Sequence, residues 1–185
     1  SDNGPVLDDG YDDKAETLIN GHKPAGLYKG GKYSAYEGGT RVPLIVSWPG
    51  KVKPGVSKAL VSQVDLYRSL ATLTGATVEA SAAPDSRNLL TVLLGKTPHG
   101  RKQMVEEAFT MCYRLGDWKY IAPVTKTPPG WLANKKVPTG LQATQQLYNL
   151  KTDPGERHNI AKALPGKTRE LADALNREMA KPAGK

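Results

Sequence analysis

Pro43-Leu44-Ile45-Val46-Ser47-Trp48-Pro49-Gly50 is the stretch whose reading decides the fold class. A short apolar run with a proline on each side has the pattern of a strand buried on both faces of a parallel sheet. Lys51 to Lys58 follow as a polar connection, and a helix comes next. Ser62 suits its N-cap, and Asp65 lies near its positive end. Leu66, Leu70 and Leu73 fall at i, i+4 and i+7, and Gly75 supplies the stop. Strand, connection and helix in that order predict an α/β layer architecture.

Upstream of this run lie two glycine-rich turns, Gly30-Gly31-Lys32-Tyr33-Ser34-Ala35-Tyr36-Glu37-Gly38-Gly39-Thr40-Arg41, and the chain opens on Ser1-Asp2-Asn3-Gly4-Pro5. Asp2 and Asn3 offer a carboxylate and an amide carbonyl, hard donors suited to calcium or magnesium. Adjacent residues can both face one cation only where the chain turns, and Gly4-Pro5 gives that turn. An isolated Asp-Asn-Gly reads as an Asx-turn after a strand, and the lysine-glycine motif downstream turns the reading to metal. Gly30 and Gly31 let the backbone pass close to a ligand, and the Lys32 ammonium is a compact charge able to meet an anion's oxygen, although taken alone Lys32 reads as a surface lysine in a hairpin. Glu37-Gly38-Gly39-Thr40-Arg41 reads as scaffold, a tight turn that Glu37 and Arg41 brace by pairing.

Residues 1 to 29 read as loop, with room for one short helix over Lys14 to Ile19. A loop of that length in a compact domain is functional or disordered. Asp8, Asp9, Asp12 and Asp13 lack the spacing of a helix-loop-helix calcium site, so a solvated acidic loop is the reading. His22 stands in Asn20-Gly21-His22-Lys23-Pro24, where an imidazole either meets substrate or is solvated. His99 and His158 lie in the tail, away from the candidate chemistry, and read as surface.

Downstream the texture changes. Thr77 to Asp85 is a small-residue loop, and Asn88 to Gly95 is a short helical or extended apolar piece. Val105 to Tyr113 is strand-like, Gly116-Asp117 is a two-residue hairpin signal, and Trp118-Lys119-Tyr120-Ile121 returns. Thr125 to Thr144, rich in Pro, Gly and Lys, reads as a surface excursion. Gln146 to Leu150 is a further strand and Asp153-Pro154-Gly155-Glu156 a turn. A last helix, from about Lys167 to Ala180, places Leu171, Leu175 and Met179 on one stripe, with Pro182 ending it. The tail is therefore an antiparallel sheet with one packed helix.

The 185 residues allow a sizeable core, and no apolar run is long enough to span a bilayer. The formal charge of +8 is spread over scattered basic residues interrupted by acidic ones. That is unlike a phosphate-tracking stripe with interleaved aromatics, so nucleic acid is not the expected partner. A positive surface that draws in an anionic substrate fits as well as a merely solvated one. The single cysteine, Cys112, excludes an internal disulfide.

Taken together, Asp2-Asn3-Gly4-Pro5, the Gly30-Gly31-Lys32 and Glu37-Gly38-Gly39-Thr40-Arg41 motifs, Arg114-Leu115-Gly116-Asp117-Trp118-Lys119, and Leu147-Tyr148-Asn149-Leu150 through Asp153-Pro154-Gly155-Glu156 and Asn159 resemble the C-terminal portion of a sulfatase. The likeness is to the arylsulfatase and galactosamine-6-sulfatase branch of the alkaline-phosphatase-like superfamily. It implies an α/β fold: the C-terminal part of an alkaline-phosphatase-like α/β domain over residues 1–95, then a small antiparallel sheet with a C-terminal helix over 96–185. Asp85-Ser86-Arg87-Asn88-Leu89 departs mildly from the family's Asp-Gly-x-x-Leu segment. By resemblance Asp2 and Asn3 supply part of a Ca2+ shell, and Lys32 binds the sulfate being transferred. The family's main catalytic histidines lie upstream of this segment, so His22 does not inherit their role.

The family nucleophile is a formylglycine made from the Cys or Ser of a Cys/Ser-x-Pro/Ala-x-Arg motif. Cys112-Tyr113-Arg114-Leu115-Gly116 does not fit that motif, and Ser81-Ala82-Ala83-Pro84-Asp85 has Asp where Arg is needed. The expectation is a fragment, inactive alone. Its partners would be the N-terminal half of the same enzyme and a sulfated glycan or aryl sulfate, in a periplasmic or secreted setting. Two rivals stand beside it. One is a phosphoric-ester or phosphonate hydrolase of the same superfamily, typically holding two zinc ions. The other is a non-catalytic module that grips sulfated glycan with Lys126, Lys135 and Lys136.

Overall fold

The computed structural model describes residues 1–6, 14–134 and 136–181. The four aspartates of the acidic loop, Lys135 and Pro182 lie outside those residues. Contacts divide the chain into two compact units, residues 1–43 with 105–179, and residues 44–104 with 180–185. The boundary expected after residue 95 concerns domains of a whole protein and is a different division.

In the first unit two short helical turns, α1 (Ala15–Leu18) and α2 (Glu37–Thr40), precede four strands and a long helix. The strands are β1 (Gln103–Glu107), β2 (Met111–Leu115), β3 (Trp118–Ile121) and β4 (Gln146–Asn149), in the spatial order β1-β2-β3-β4. β2 pairs antiparallel with β3, Leu115 opposite Trp118, so Gly116-Asp117 forms the two-residue hairpin that the sequence predicts. β3 pairs antiparallel with β4, Tyr120 opposite Leu147. The segment 105–113 is two strands rather than one, because the chain turns at 108–110, where the Ala108 N–H donates to Thr110 O at 3.0 Å.

Side chains alternate across this sheet with the period of two that a strand imposes. Tyr113, Tyr120 and Leu147 face one way and pack with Leu171 and Leu175 of α5 (Pro165–Met179). Pro165 sits at the first helical position, where its missing N–H costs no intrahelical bond. Burying Leu171 and Leu175 contributes about 1.5–3 kcal/mol each. Met179 does not join their stripe: it is the helix's last residue and is 53% exposed. Cys112, Ile121 and Tyr148 face the other way and pack with Ala35 and Tyr36. The glycine-lysine segment thus rests on one face of the tail's sheet while α5 covers the opposite face.

The second unit contains α3 (Asp65–Thr74) and α4 (Leu90–Leu93). Gly75 caps α3 in the left-handed conformation, φ +74°, as the stop signal predicts. The start differs from expectation. Val64, not Ser62, is the N-cap, and the Asp65 carboxylate reaches back to accept the Ser62 N–H at 2.9 Å. The strand expected over 44–48 does not form, and Leu44, Ile45, Val46 and Trp48 are all exposed. A strand exists only against a neighbour, and among the described residues no second strand flanks it.

Candidate active site

Two segments far apart in sequence are tied backbone to backbone at the start of the chain. The Gly4 N–H donates to Gly39 O at 3.0 Å, and the Lys32 N–H donates to Pro5 O at 2.9 Å. The Gly38 N–H donates to Lys29 O at 2.8 Å, closing the second turn onto the first. The glycines are there because nothing larger fits. A Cβ on Gly4 would collide with Gly38 O, and one on Gly38 would collide with the carbonyls of Lys29 and Gly30. The segment carrying Asp2 and Asn3 is therefore fastened to the one carrying Lys32.

Asp2 is exposed and Asn3 half-buried. Asn3 Nδ2 donates to Gly4 O at 2.8 Å, and Ser1 Oγ donates to Asn3 O at 2.8 Å. Two hard oxygen donors on a turn fit part of a calcium shell, which takes 6–8 oxygens. Among the described residues no group of three or more His, Cys, Asp and Glu is arranged to hold a metal ion, so Asp2 and Asn3 alone are not a complete shell. Lys32 is half-buried, its Nζ 5.0 Å from the Tyr33 ring centroid. His22 is exposed in the turn where its N–H donates to Ile19 O at 3.0 Å. Among the described residues no hydrogen bond or ion pair links its ring to residues 30–41. His99 is exposed, and the mostly exposed His158 lies 3.7 Å from Asp153 Oδ2. Lys126 and Lys136 are exposed as well.

Around Glu37 the support is ionic. Glu37, at the start of α2, is fully buried and is met by Lys119 Nζ at 2.9 Å, Arg114 Nη1 at 3.1 Å and Arg41 Nη1 at 3.5 Å. Lys119, also fully buried, lies 3.4 Å from Glu106 and 3.7 Å from Glu156, and its ammonium donates to Thr40 Oγ1 at 3.2 Å. Glu156 Oε2 accepts the Glu37 N–H at 2.6 Å, and its backbone oxygen accepts from Lys29 Nζ at 3.3 Å. Lys29 Nζ stands 4.1 Å from the Tyr36 ring centroid. Lys119 and Arg114 come from β3 and β2 on the sheet face that also carries Cys112 and Tyr148, so alternation aims them at α2. Polar bonds complete this face: Tyr36 and Tyr148 both donate to Gln146 Oε1, at 3.0 and 2.9 Å.

Burial sets the direction of several ionisations and neighbouring charge decides the rest. Burial pushes the Glu37 carboxyl up, yet Lys119, Arg114 and Arg41 outweigh it and hold the pKa below the usual carboxylate value. Burial works against the Lys119 ammonium, but Glu106, Glu37 and Glu156 hold its pKa above the usual lysine range. For Glu156 burial prevails over Lys119 and lifts the pKa to about 7. Burial pushes the Cys112 thiol to about 12, which leaves it protonated and inert. Sequence reasoning found Glu37 and Arg41 but assigned no role to Lys119, Glu156, Glu106 or Arg114. Three of these four fall within landmark stretches, Arg114 to Lys119 and Asp153 to Glu156, and that was the one available signal.

Three comparisons give the family of the chain. Residues 1–76 match the model of the sulfatase family. An N-acetylgalactosamine-6-O-sulfatase of Bacteroides thetaiotaomicron is 48% identical over 177 residues, 95% of this chain and 34% of that protein. The chain belongs to the sulfatase family, and its fold is the mixed α/β one of that family. Human arylsulfatase A is 31% identical over 165 residues, 82% of this chain and 32% of that protein. A solved Bacteroides thetaiotaomicron chain, described under the metabolism of multiple glycosaminoglycans, superposes with a TM-score of 0.89 at 46% identity, covering 98% of this chain and 38% of that one. The chain spans about a third of the length of the curated relatives it matches.

Proposed function

We propose that this chain is the C-terminal part of a sulfatase that hydrolyses sulfate esters of carbohydrates, the 6-O-sulfate of an N-acetylhexosamine first among them. The observation that carries the reading is the backbone junction of Gly4 and Pro5 with Gly39 and Lys32. It fastens the backbone of the oxygen-donor turn to the backbone of the segment that carries Lys32, which supports the reading. The substrate class follows the Bacteroides relative's name. In the complete enzyme Asp2 and Asn3 supply part of a Ca2+ shell, and a bound calcium would lend positive charge beside the sulfate. Lys32 binds a sulfate oxygen and neutralises charge that grows as the ester bond breaks. Glu37, Gly38, Gly39 and Arg41 hold the turn that presents Lys32, and His22 is a candidate contact to substrate. The formylglycine nucleophile would come from the N-terminal part, since no segment of residues 1–185 has its motif. A periplasmic or secreted setting accords with a glycan substrate. Among the described residues no helix is long and apolar enough to cross a membrane.

Lys32→Ala in the complete enzyme tests the assignment. Loss of a preorganised charge at the reacting group lowers kcat/KM on a sulfated sugar by on the order of a hundredfold. Thermal stability should hold, because the Lys32 side chain is not among the groups that support the fold. Retention of full turnover would reject the role.

A further inference from the structure

Tyr33, Phe109 and Trp131 come from three separate parts of the chain and meet beside Lys32. Tyr33 and Trp131 lie edge to face, centroids 4.9 Å apart at 72°, and Phe109 and Trp131 do the same at 5.9 Å and 77°. Tyr33 and Phe109 complete the triangle at 6.4 Å. None of the three belongs to either buried core cluster, and Phe109 and Trp131 are 40% and 47% exposed. Core packing therefore does not account for three large rings here.

The backbone under two of them is unusual as well. Tyr33 has φ +73° and Phe109 φ +59°, in the left-handed region that a bulky side chain enters only against steric resistance. Phe109 occupies the tight turn between β1 and β2, where Glu107 Oε1 accepts its N–H at 2.9 Å. Gly or Asn would serve that turn without strain, so the turn does not call for a ring at this position. Trp131 lies in the short 3-10 segment Gly130–Asn134, within the 125–144 excursion. That excursion is tied to the Lys32 segment: Ser34 Oγ donates to Pro138 O at 2.8 Å, and the Ala35 N–H donates to Thr139 O at 2.8 Å.

A strained, part-exposed aromatic cluster next to a cation has the chemistry of a carbohydrate subsite. A pyranose ring has a face of C–H bonds carrying slight positive charge, which lies well on the negative face of an aromatic ring, while its hydroxyls stay at the wet edge. The Lys32 ammonium, 5.0 Å from the Tyr33 centroid, places the anionic substituent of the same glycan within reach. We propose that Tyr33, Phe109 and Trp131 form a stacking subsite for a pyranose ring of the glycan whose sulfate Lys32 holds. The proposal rests on the sulfatase reading of Lys32.

The test uses the complete enzyme carrying Trp131→Ala, Phe109→Ala or Trp131→Phe, with a chondroitin 6-sulfate tetrasaccharide as substrate and its desulfated counterpart as ligand. For the two alanine variants, KM for the tetrasaccharide rises roughly tenfold, a loss of the size that aromatic stacking supplies. Binding of the desulfated tetrasaccharide, followed by calorimetry, weakens in step, while inhibition by inorganic sulfate and the melting temperature stay unchanged. Trp131→Phe keeps most of the affinity. Sulfate inhibition that depends on Lys32 but not on Trp131 separates the two assignments, so failure of one does not disguise failure of the other. A wild-type enzyme that does not bind the desulfated sugar overturns the subsite. So do alanine variants that leave KM unmoved, or that lower melting temperature and kcat together, as a packing surface would.

Discussion

Glu156 is the residue through which pH reaches the support of the site. Its carboxylate accepts the Glu37 N–H and faces Lys119, yet burial lifts its pKa to about 7 from an ordinary 4.5. With the folded pKa above the unfolded one, the native state holds more protons than the unfolded state between those values. Stability from this group is therefore full below about pH 4.5 and is lost as pH rises towards 7. The amount at stake is on the order of 3 kcal/mol. Glu37 has the opposite sign, since its lowered pKa gives stability that fades only in acid. Glu156→Gln keeps an oxygen for the Glu37 N–H and removes the titration. The expected result is a flatter profile of unfolding free energy against pH between about 4.5 and 7, measured by urea denaturation in matched buffers. A variant profile that falls as steeply as the wild type would place the titrating group elsewhere.

At the scale of elements, α3 shows both what the sequence discloses and where it stops. Its span and its glycine cap are legible, because periodicity and a left-handed stop are local properties. The hairpin at Gly116-Asp117, strand β4 and helix α5 are legible for the same reason. What the sequence does not reveal is which face is buried. Asp65 and Ser69 are buried while Leu70 and Leu73 are exposed, the reverse of the usual amphipathic reading. The cause is non-local: Asp65 accepts from the N–H groups of Ser62 and Arg87, both at 2.9 Å, and from the Arg101 guanidinium. The ionic cluster around Glu37 escaped notice for the same reason. Lys119 looks like any strand lysine until the sheet register aims it inward. The motifs around Asp2 and Lys32 are set together in the sequence only by family resemblance, because the close glycine contacts that fasten their backbones are non-local as well. Asp65→Asn should leave Arg101 without its counter-charge and untie the ends of the unit. The expected loss is about 3 kcal/mol of stability, read from the urea midpoint at constant m-value. A change below the scatter of surface substitutions would mean that the pair does not hold the unit.

At the scale of the whole molecule, the apolar side chains of the second unit call for a covering. Leu44, Ile45, Val46, Trp48, Val56, Val64, Tyr67, Leu70 and Leu73 are all at least 40% exposed within one unit. Scattered single exposures are ordinary on a soluble surface, but nine within some thirty residues of chain are not. The apolar run that failed to form a strand and the leucine stripe of α3 are both parts of this set. Each has the pattern of an element buried in a larger α/β layer, and the relatives are about three times as long as this chain. Burial of these residues in the complete enzyme follows from the proposed function. Purified residues 1–185 should therefore enhance the fluorescence of an apolar-surface dye, self-associate as concentration rises, and hydrolyse no aryl sulfate. The complete enzyme should do none of the first two and should turn over substrate. Addition of the separately produced N-terminal part should quench the dye signal of the fragment if the surfaces are complementary. A monomeric fragment with no dye binding would show that these residues need no partner, and the reading of the chain as part of a larger layer would fall with it.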